Sequence, residues 1–257
     1  MRINTNVGAL NSAKNAFINN LATESSMRKL SSGLRISRAA DDAAGLSIAN
    51  KLRAQSRSLT VAAANSEQGN AMLQIAEGSA QTIQKILERQ KELIIQREST
   101  GNNSSVTATL NTELTTLSSE VDRIINSTNF QGSTVFTSLA FQVSDGTTGG
   151  TVTVDATLAA SSVTLASGAS ISAVDTALTS INSVLANIGA GQNRLDYTVA
   201  NLKAAVVNVK AAESTIRDVD MAEEMANYTK NNILTQAAQA MLAQANQSSQ
   251  SVLSLLR

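Results

Sequence analysis

Apolar or small residues recur every seven positions in two long stretches of the chain, on a background rich in Gln, Asn, Ala and Ser. The first stretch contains Leu52, Leu59, Ser66, Leu73, Ala80, Leu87 and Ile94. The second contains Ile181, Ile188, Leu195, Leu202, Val209 and Ile216. Each stretch forms one apolar stripe along a helix, which we call a seam. A helix keeps one seam over such a length only when it packs against another long helix. The sequence therefore predicts a mainly α fold: a long antiparallel helical bundle or coiled-coil rod made of paired N- and C-terminal segments.

The first seam predicts a single very long helix. It continues without a break from about Asp42 to about Gln96, which corresponds to a helix on the order of 80 Å long. Small residues lie beside the seam at Ala62, Gly69 and Ala76. Because small side chains reduce the distance between packed backbones, a neighbouring helix is expected to approach closely at these positions.

A shorter helix and a second long helix complete the predicted bundle. The shorter helix follows a turn at 99–105 and is expected to fold back antiparallel on the first helix. Its apolar side carries Leu110, Leu114, Leu117, Val121, Ile124 and Ile125. The second long helix is predicted from Val174 to Ile216 and contains Gly189 and Gly191, which each cost about 1 kcal/mol relative to Ala. Because the seam keeps its phase on both sides of these glycines, the helix is expected to be continuous.

The middle of the chain is rich in Ser, Thr and Gly and predicts a small β-hairpin region. Two short strand-like segments, Phe141–Val143 and Thr151–Val154, flank a turn signal at 145–150. Residues 156–172 are low-complexity Ala, Ser and Thr, for which a short strand or a loop is expected. The whole segment from about 137 to 173 is interpreted as a low-complexity surface segment.

Both ends of the chain carry narrower apolar stripes than the two seams. A helix with so narrow a stripe is marginal alone, so the ends are predicted to order only against a partner. The residues expected to drive self-assembly are Leu10, Phe17, Leu21, Leu234, Met241, Val252, Leu255 and Leu256. After the first helix, Gly33 is expected to end that helix and Asp41 or Asp42 to cap the next one. Arg35 and Arg38 lie near enough in sequence to pair with these carboxylates.

Composition and charge exclude several classes of protein. The absence of Pro fits long uninterrupted helices. The 20 basic and 20 acidic residues give a formal net charge of zero, so no basic field would hold nucleic acid or an anionic membrane. Near-neutral subunits also pack together without long-range repulsion. The sequence contains no run of about 18 apolar residues, which a membrane-spanning helix would need. Residues 1–17 also lack the apolar stretch of a cleaved signal peptide.

The side chains that enzymes use most often are missing. The chain has no His and no Cys, so its Ser and Thr hydroxyls lack a histidine base and the commonest metal ligands are absent. The acidic pairs Asp41–Asp42 and Glu223–Glu224 lie at predicted helix starts, where carboxylates interact favourably with the helix dipole. No catalytic, cofactor-binding or metal-binding residue is predicted, and the protein is not expected to be an enzyme. Two function classes remain, a self-assembling structural protein and a secreted coiled-coil binding module.

Several motifs at the two ends of the chain occur together in one known family. The N-terminal motifs are Met1–Asn6, Leu30–Ile36, Asp41–Gly45 and Leu87–Leu93. The C-terminal motifs are Gln192–Leu195, Ile216–Asp220, Gln244–Gln247 and Val252–Arg257. Over roughly 1–135 and 175–257 the sequence resembles bacterial flagellin, the filament subunit of the flagellum. Hook–filament junction proteins of the same superfamily share the N-terminal pattern, but the C-terminal motifs fit flagellin better.

The resemblance implies a short flagellin without large outer domains. Segments 1–40 and 219–257 would form the filament core, and 41–218 would form a spoke of long helices with the β-hairpin. It implies a homopolymeric extracellular filament used for swimming, whose subunits leave the cell through the flagellar type III export channel. The implied partners are an export chaperone on the C-terminal segment and the hook-associated and filament-cap proteins. In some flagellins Toll-like receptor 5 binds the spoke, and the positions that match its contacts are Arg89, Leu93 and Glu113.

The narrow stripes of residues 1–35 and 222–257 generate a test on the free subunit. Ordering a residue costs about 1–2 kcal/mol in backbone entropy, and the stripes offer little burial to offset that cost. Limited proteolysis of free subunits, followed by mass spectrometry, should therefore trim both ends and leave a stable middle. Polymerised protein is the control and should resist trimming. Equal resistance of the ends and the middle in the free subunit would contradict the prediction.

Overall fold

The structure, a computed structural model, describes residues 5–99, 103–144, 150–166 and 168–255, with only the backbone of 249–255. Its helices are α1 Val7–Ser32, α2 Ala43–Glu98, α3 Ser104–Ser127, α4 Ala160–Val163, α5 Ile171–Arg217 and α6 Met221–Leu255. Its strands are β1 Asn129–Phe130, β2 Ser133–Thr134, β3 Ser138–Gln142 and β4 Thr151–Asp155. Long helices with two small strand pairs between them confirm the predicted mainly α fold.

The chain divides into two compact units. Unit 1 comprises Met1–Ala54 and Asn208–Arg257, and unit 2 comprises Gln55–Val207. Unit 1 therefore takes in the first turns of α2 and the last turns of α5 in addition to the predicted core segments 1–40 and 219–257. The predicted segments 1–40 and 219–257 are domains of the subunit in an assembled filament, and their boundaries stay a prediction.

In unit 1, α1 and α6 pack side by side in antiparallel orientation. Near one end of the pair, the side-chain amide of Asn6 donates to the Ala245 carbonyl over 2.9 Å. Near the other end, Lys29 Nζ lies 3.9 Å from a carboxylate oxygen of Glu224. Residue numbers increase along α1 while those of the contacting residues on α6 decrease. The two contacts therefore fit a single antiparallel register along the pair.

Local capping ends α1 and begins α2, as the sequence predicts. Gly33 has a φ of 68°, a left-handed conformation that glycine adopts without strain, and its N–H donates to the Lys29 carbonyl. Asp42 Oδ1 accepts a hydrogen bond of 2.9 Å from the Gly45 N–H, next to the first turn of α2. This bond satisfies one of the donors that every helix leaves free at its N-terminus.

Among the described residues, Arg35 and Arg38 do not form the ion pairs with Asp41 or Asp42 that their spacing in the sequence would allow. The Arg35 guanidinium donates instead to the Ile216 carbonyl over 2.6 Å. The last carbonyls of α5 have no intrahelical partner and lie at the negative end of the helix dipole, so they attract the cation. Arg38 contacts Asp41 through its backbone N–H, at 2.9 Å. This backbone hydrogen bond is the main cause that lowers the pKa of the Asp41 carboxyl.

In unit 2, α2 and α5 form an antiparallel pair whose facing sides carry the two seams. Lys203 Nζ lies 2.8 Å from a Glu67 carboxylate oxygen, and Lys91 Nζ lies 2.6 Å from Asp175 Oδ1. The fully buried seam residues are Ser66, Leu73, Ala80, Leu87, Ile94, Ile181, Ile188 and Leu195, and Leu202 is buried as well. Of the remaining seam residues, Leu59 in unit 2 is half-buried, and so are Leu52, Val209 and Ile216, which belong to unit 1. Partial burial is expected where only two helices pack together.

Helix α3 adds a third helix to unit 2 and runs antiparallel to α2, as predicted. The Thr128 hydroxyl donates to Ser79 Oγ over 3.2 Å, and the Gln90 side-chain amide donates to Ser118 Oγ over 3.1 Å. The buried apolar residues of α3 are Leu110, Leu114, Val121 and Ile125. They join the same hydrophobic core as the seam residues of α2 and α5.

The predicted hairpin is present as the antiparallel pair β3–β4, and its turn at 145–149 lies outside the described residues. The hairpin packs on two helical glycines. A Cβ atom on Gly69 would lie 2.8 Å from the ring of Phe141, and one on Gly191 would lie 2.6 Å from the side chain of Val154. The close neighbour at Gly69 is therefore a strand side chain and not the helix that the sequence suggested.

Two parts of the middle differ from the prediction. Gln131 and Gly132, with φ of 52° and 83°, form a tight turn between β1 and β2, a second small hairpin that the sequence reading missed. The segment 137–173 is not wholly a surface segment, because it places Ala156, Leu158, Val163 and Leu165 in the core. The Ser118 hydroxyl on α3 donates to the Leu165 carbonyl over 2.6 Å and holds this irregular chain against the helices.

Leu87 provides a test of the seam assignment. It is fully buried in unit 2, so Leu87→Asp would bury a carboxylate without a partner and lower the free energy of unfolding by about 3–5 kcal/mol. Thermal melting followed by circular dichroism should show a large fall in the midpoint. Ser162→Asp is the control, because Ser162 is exposed and its replacement should leave the midpoint almost unchanged. Similar falls for both variants would show that the seam is wrongly assigned.

Two neighbouring glycines test the contact between α5 and the hairpin. Gly191→Ala pushes a methyl group against Val154 and should destabilise unit 2 by about 1–3 kcal/mol, as overpacked cores do. In Gly189→Ala the added methyl meets no neighbouring atom within 4 Å, so the better helix propensity should stabilise the fold by up to about 1 kcal/mol. Chemical denaturation measures both changes. If both variants shift stability in the same direction, the hairpin does not pack on Gly191.

Candidate assembly surface

The contact between α1 and α6 is built from small and polar residues. The covered side of α1 carries Ala9, Ser12, Ala16, Asn19, Thr23, Ser26 and Leu30. The covered side of α6 carries Glu224, Tyr228, Asn231, Thr235, Ala238, Leu242 and Ala245. Steps of three and four residues place each set along one side of its helix. Only Ser26 among them is fully buried, so the pair removes little apolar surface from water within one chain.

The large apolar side chains of these two helices are left exposed. On α1, between 49% and 64% of the side-chain surface remains accessible for Val7, Leu10, Phe17, Ile18, Leu21 and Met27. On α6, between 42% and 62% remains accessible for Met221, Met225, Ile233, Leu234 and Met241. We refer to these eleven residues as the assembly surface. Exposed large apolar side chains in this number mark a surface that contacts another molecule.

The same helices carry very little charge. No Asp, Glu, Lys or Arg lies between Lys14 and Glu24, and none lies between Lys230 and Arg257. Six of the eleven residues of the assembly surface lie in these uncharged stretches, where covering the surface does not strip water from charged groups. The assembly surface therefore combines exposed apolar area with a low desolvation cost.

Five residues that the sequence singled out for self-assembly lie on the assembly surface, namely Leu10, Phe17, Leu21, Leu234 and Met241. Val252 and Leu255 lie in the part of α6 whose side chains are not described, and Leu256 lies outside the described residues. The residues predicted for self-assembly did not include the other six positions of this surface, Val7, Ile18, Met27, Met221, Met225 and Ile233. Ile18 and Ile233 directly adjoin Phe17 and Leu234, so a wider stripe on each helix would have included them.

The three positions that match receptor contacts lie in different environments. Leu93 is only 1% exposed and belongs to the core of unit 2, so its side chain is out of reach of a partner. Arg89 and Glu113 are exposed and form an ion pair of 3.2 Å across α2 and α3. The hydrogen bond to Glu92 and then that to Glu113 raise the pKa of the Arg89 guanidinium.

Neither metal ligation nor membrane insertion has structural support in the described part of the chain. Over 5–99, 103–144, 150–166 and 168–255, no group of three or more acidic side chains is placed to hold a metal ion. Among the same residues, no helix combines the length and the hydrophobicity that crossing a bilayer requires.

Two family models match the chain and together cover most of it. "Bacterial flagellin N-terminal helical region" matches residues 3–140, and "Bacterial flagellin C-terminal helical region" matches residues 171–256. The chain belongs to the bacterial flagellin family. As a flagellin it is a structural subunit of the flagellar filament and not an enzyme. The family indicated by the terminal motifs is thereby confirmed.

Individual flagellins are similar to the chain along its whole length. The flagellin of Bacillus subtilis strain 168 is 40% identical over 304 residues, and that of Halalkalibacterium halodurans is 43% identical over 272 residues. The flagellar filament 33 kDa core protein of Treponema phagedenis is 37% identical over 286 residues. All three alignments cover 100% of both chains. The crystal structure of Bacillus cereus flagellin is 27% identical, covers 54% of this chain and 88% of that one, and has a TM-score of 0.47.

Proposed function

We propose that this flagellin polymerises into an extracellular swimming filament by burying the assembly surface between copies of itself. The proposal rests on where unit 1 places its apolar side chains. A helix pair usually buries its large apolar residues, but unit 1 leaves them exposed. Mostly small or polar residues form the contact between α1 and α6, whereas eleven large apolar residues lie outside it. A second copy with the same exposed stripes provides the complementary apolar partner.

The energetics of the surface favour a polymer over a free subunit. Full burial of a large apolar side chain contributes about 1.5–3 kcal/mol, and the assembly surface offers eleven such side chains that are now partly exposed. The contact between α1 and α6 alone offers mainly Ala, Ser, Thr and Asn. The two helices therefore gain most of their stability from neighbouring subunits. The apolar residues Val252, Leu255 and Leu256 extend the same surface in this proposal.

The same surface requires protection before export. A helix that carries no charge after Lys230 and exposes Met, Ile and Leu is an aggregation hazard in a cell that holds many copies of the chain. We infer that an export chaperone covers the C-terminal segment, including α6, until the subunit enters the flagellar export channel. At the two ends of the filament, hook-associated and filament-cap proteins would cover the surfaces that no further subunit occupies.

A contact with Toll-like receptor 5 is proposed for Arg89 and Glu113 and not for Leu93. Both side chains are exposed, and their ion pair presents one cation and one anion at a fixed spacing on unit 2. A receptor that covers this pair would bury both charges together, because covering one without the other would leave a desolvated charge without its partner. Leu93 supports the site from below by packing in the core.

The two alternatives that the sequence left open lack a comparable observation. A hook–filament junction protein and a secreted coiled-coil binding module would both fit long paired helices. Neither reading accounts for flagellin matches at both ends of the chain together with full-length similarity to flagellins. The filament subunit is therefore the function that the observations support best.

Phe17 provides the test of the assembly surface. Its side chain is 64% exposed in the single chain, so Phe17→Asp should leave the melting of unit 2 unchanged. In a polymer the new carboxylate would be buried without a partner, which should raise the critical concentration for polymerisation more than about 100-fold. Sedimentation and electron microscopy at increasing protein concentration measure this change.

Ser162→Asp serves as the matched control for polymerisation, because it adds the same charge at an exposed position of unit 2. It should polymerise at the critical concentration of the unsubstituted protein. If Phe17→Asp polymerises at that concentration too, the outer face of α1 is not an assembly contact.

A further inference from the structure

The methionines of the chain are divided sharply between the two units. Of the six, Met27, Met221, Met225 and Met241 lie in unit 1 and are 49–62% exposed. Met72 is 9% exposed and packs in the hydrophobic core of unit 2, and Met1 lies outside the described residues. Because four exposed thioethers are unusual for so apolar a side chain, their common location calls for a chemical explanation.

The composition makes these thioethers the main oxidation targets of the protein. The chain contains no Cys, no Trp and no His. Thiolates, which react with peroxides before other side chains do, are therefore absent. Methionine is then the side chain that a peroxide oxidises most readily, and exposure determines which methionine reacts.

The four exposed methionines lie within the assembly surface. In the antiparallel register of α1 and α6, Met27 lies at the level of Met225. Met221 and Met225 are one helical turn apart and share a side of α6. Met225 also lines a shallow apolar groove on α6 together with Ile233 and Leu234. Oxidation at these positions thus changes the polarity of the surface that the proposed polymer would bury.

We propose that Met27, Met221, Met225 and Met241 are sites of reversible oxidation by peroxide-class oxidants, and that their sulfoxides prevent a subunit from joining the filament. The inference rests on the assembly surface of the proposed function. The thioether sulfur attacks one peroxide oxygen, the O–O bond breaks, and an S–O bond forms. Sulfur loses two electrons, and the peroxide is reduced to water. A dithiol-dependent methionine sulfoxide reductase reverses the step, giving the thioether, a disulfide and water.

The physical effect of the modification is the creation of a polar group where an apolar one is required. A sulfoxide oxygen is a strong hydrogen-bond acceptor, and none of the eleven side chains of the assembly surface is a hydrogen-bond donor. Each sulfoxide buried without a partner should raise the critical concentration about tenfold. Since assembly would cover these side chains, oxidation acts on the free subunit, and the same oxidant should modify them more slowly in a filament.

The test begins with full-length subunits treated with a limiting amount of hydrogen peroxide and then polymerised. Peptide mass mapping compares sulfoxide occupancy in the sedimented polymer and in the supernatant. We expect sulfoxide at the four surface methionines to be enriched at least about tenfold in the supernatant. Met72 is the internal control and should show the same low occupancy in both fractions. Equal occupancy of the four positions in polymer and supernatant would overturn the proposal.

A second test uses substituted proteins and a repair enzyme, and it does not depend on separating polymer from supernatant. The fourfold variant carries Met27→Leu, Met221→Leu, Met225→Leu and Met241→Leu in one chain. Its critical concentration should be about the same before and after peroxide treatment. Met72→Leu should remain as peroxide-sensitive as the unsubstituted protein. Methionine sulfoxide reductase with dithiothreitol should restore polymerisation of the oxidised protein. An equal loss of polymerisation in the fourfold variant, or no recovery after complete reduction, would contradict the proposal.

The outcomes separate this inference from the proposed function. If Phe17→Asp blocks polymerisation and oxidised subunits still join the filament, the assembly surface stands and the oxidation proposal fails. If Phe17→Asp polymerises normally, the assembly surface itself is wrong. Circular dichroism of the oxidised free subunit checks that unit 2 keeps its melting midpoint, so that a loss of polymerisation is not a loss of fold.

Discussion

Antiparallel pairing of a helix from the N-terminal part with a helix from the C-terminal part holds each unit of this flagellin together. In unit 2 the pair is α2 with α5, and in unit 1 it includes α1 with α6. Such contacts join residues that are from 84 to 239 positions apart, so the chain must close a long loop before it gains their stability. The seam side chains must repay that entropy, and this requirement explains why unit 2 concentrates Leu and Ile along its seams.

The two pairs differ in where they place large apolar side chains. In unit 2, Leu73, Leu87 and Ile188 face inward, and α3 and the β3–β4 hairpin complete the core around them. In unit 1, Ala and Ser occupy the contact, whereas Phe17 and Met241 face water. A core filled with large apolar residues is stable by itself. A contact made mainly of small residues leaves the large apolar side chains free to contact other molecules. The same feature exposes the thioethers of unit 1 to oxidants while the core shields that of Met72.

Several local features could be predicted because they depend on only a few neighbouring residues. Gly33 ends α1 and Asp42 caps α2, since both roles follow from backbone conformation and short-range hydrogen bonds. Gly191 illustrates the opposite case. Its sequence context indicates only a cost in helix propensity, yet the structure uses the missing side chain to admit Val154. Likewise Leu93 matched a receptor contact by alignment of motifs, but burial in the core removes it from the surface.

The sequence by itself determined the long helices, their seams and the family, because heptad phase, capping residues and motif order are all readable along one chain, whereas it missed the short helix α4. It did not determine which side of α1 would face α6. One side carries Ala9, Ser12 and Ala16, another carries Leu10, Phe17 and Leu21, and hydrophobicity alone favours burying the second. Only the tertiary structure decided that the side with small residues is covered. Helices approach most closely where side chains are small, and in a chain that polymerises the larger apolar side chains remain available for contacts between subunits.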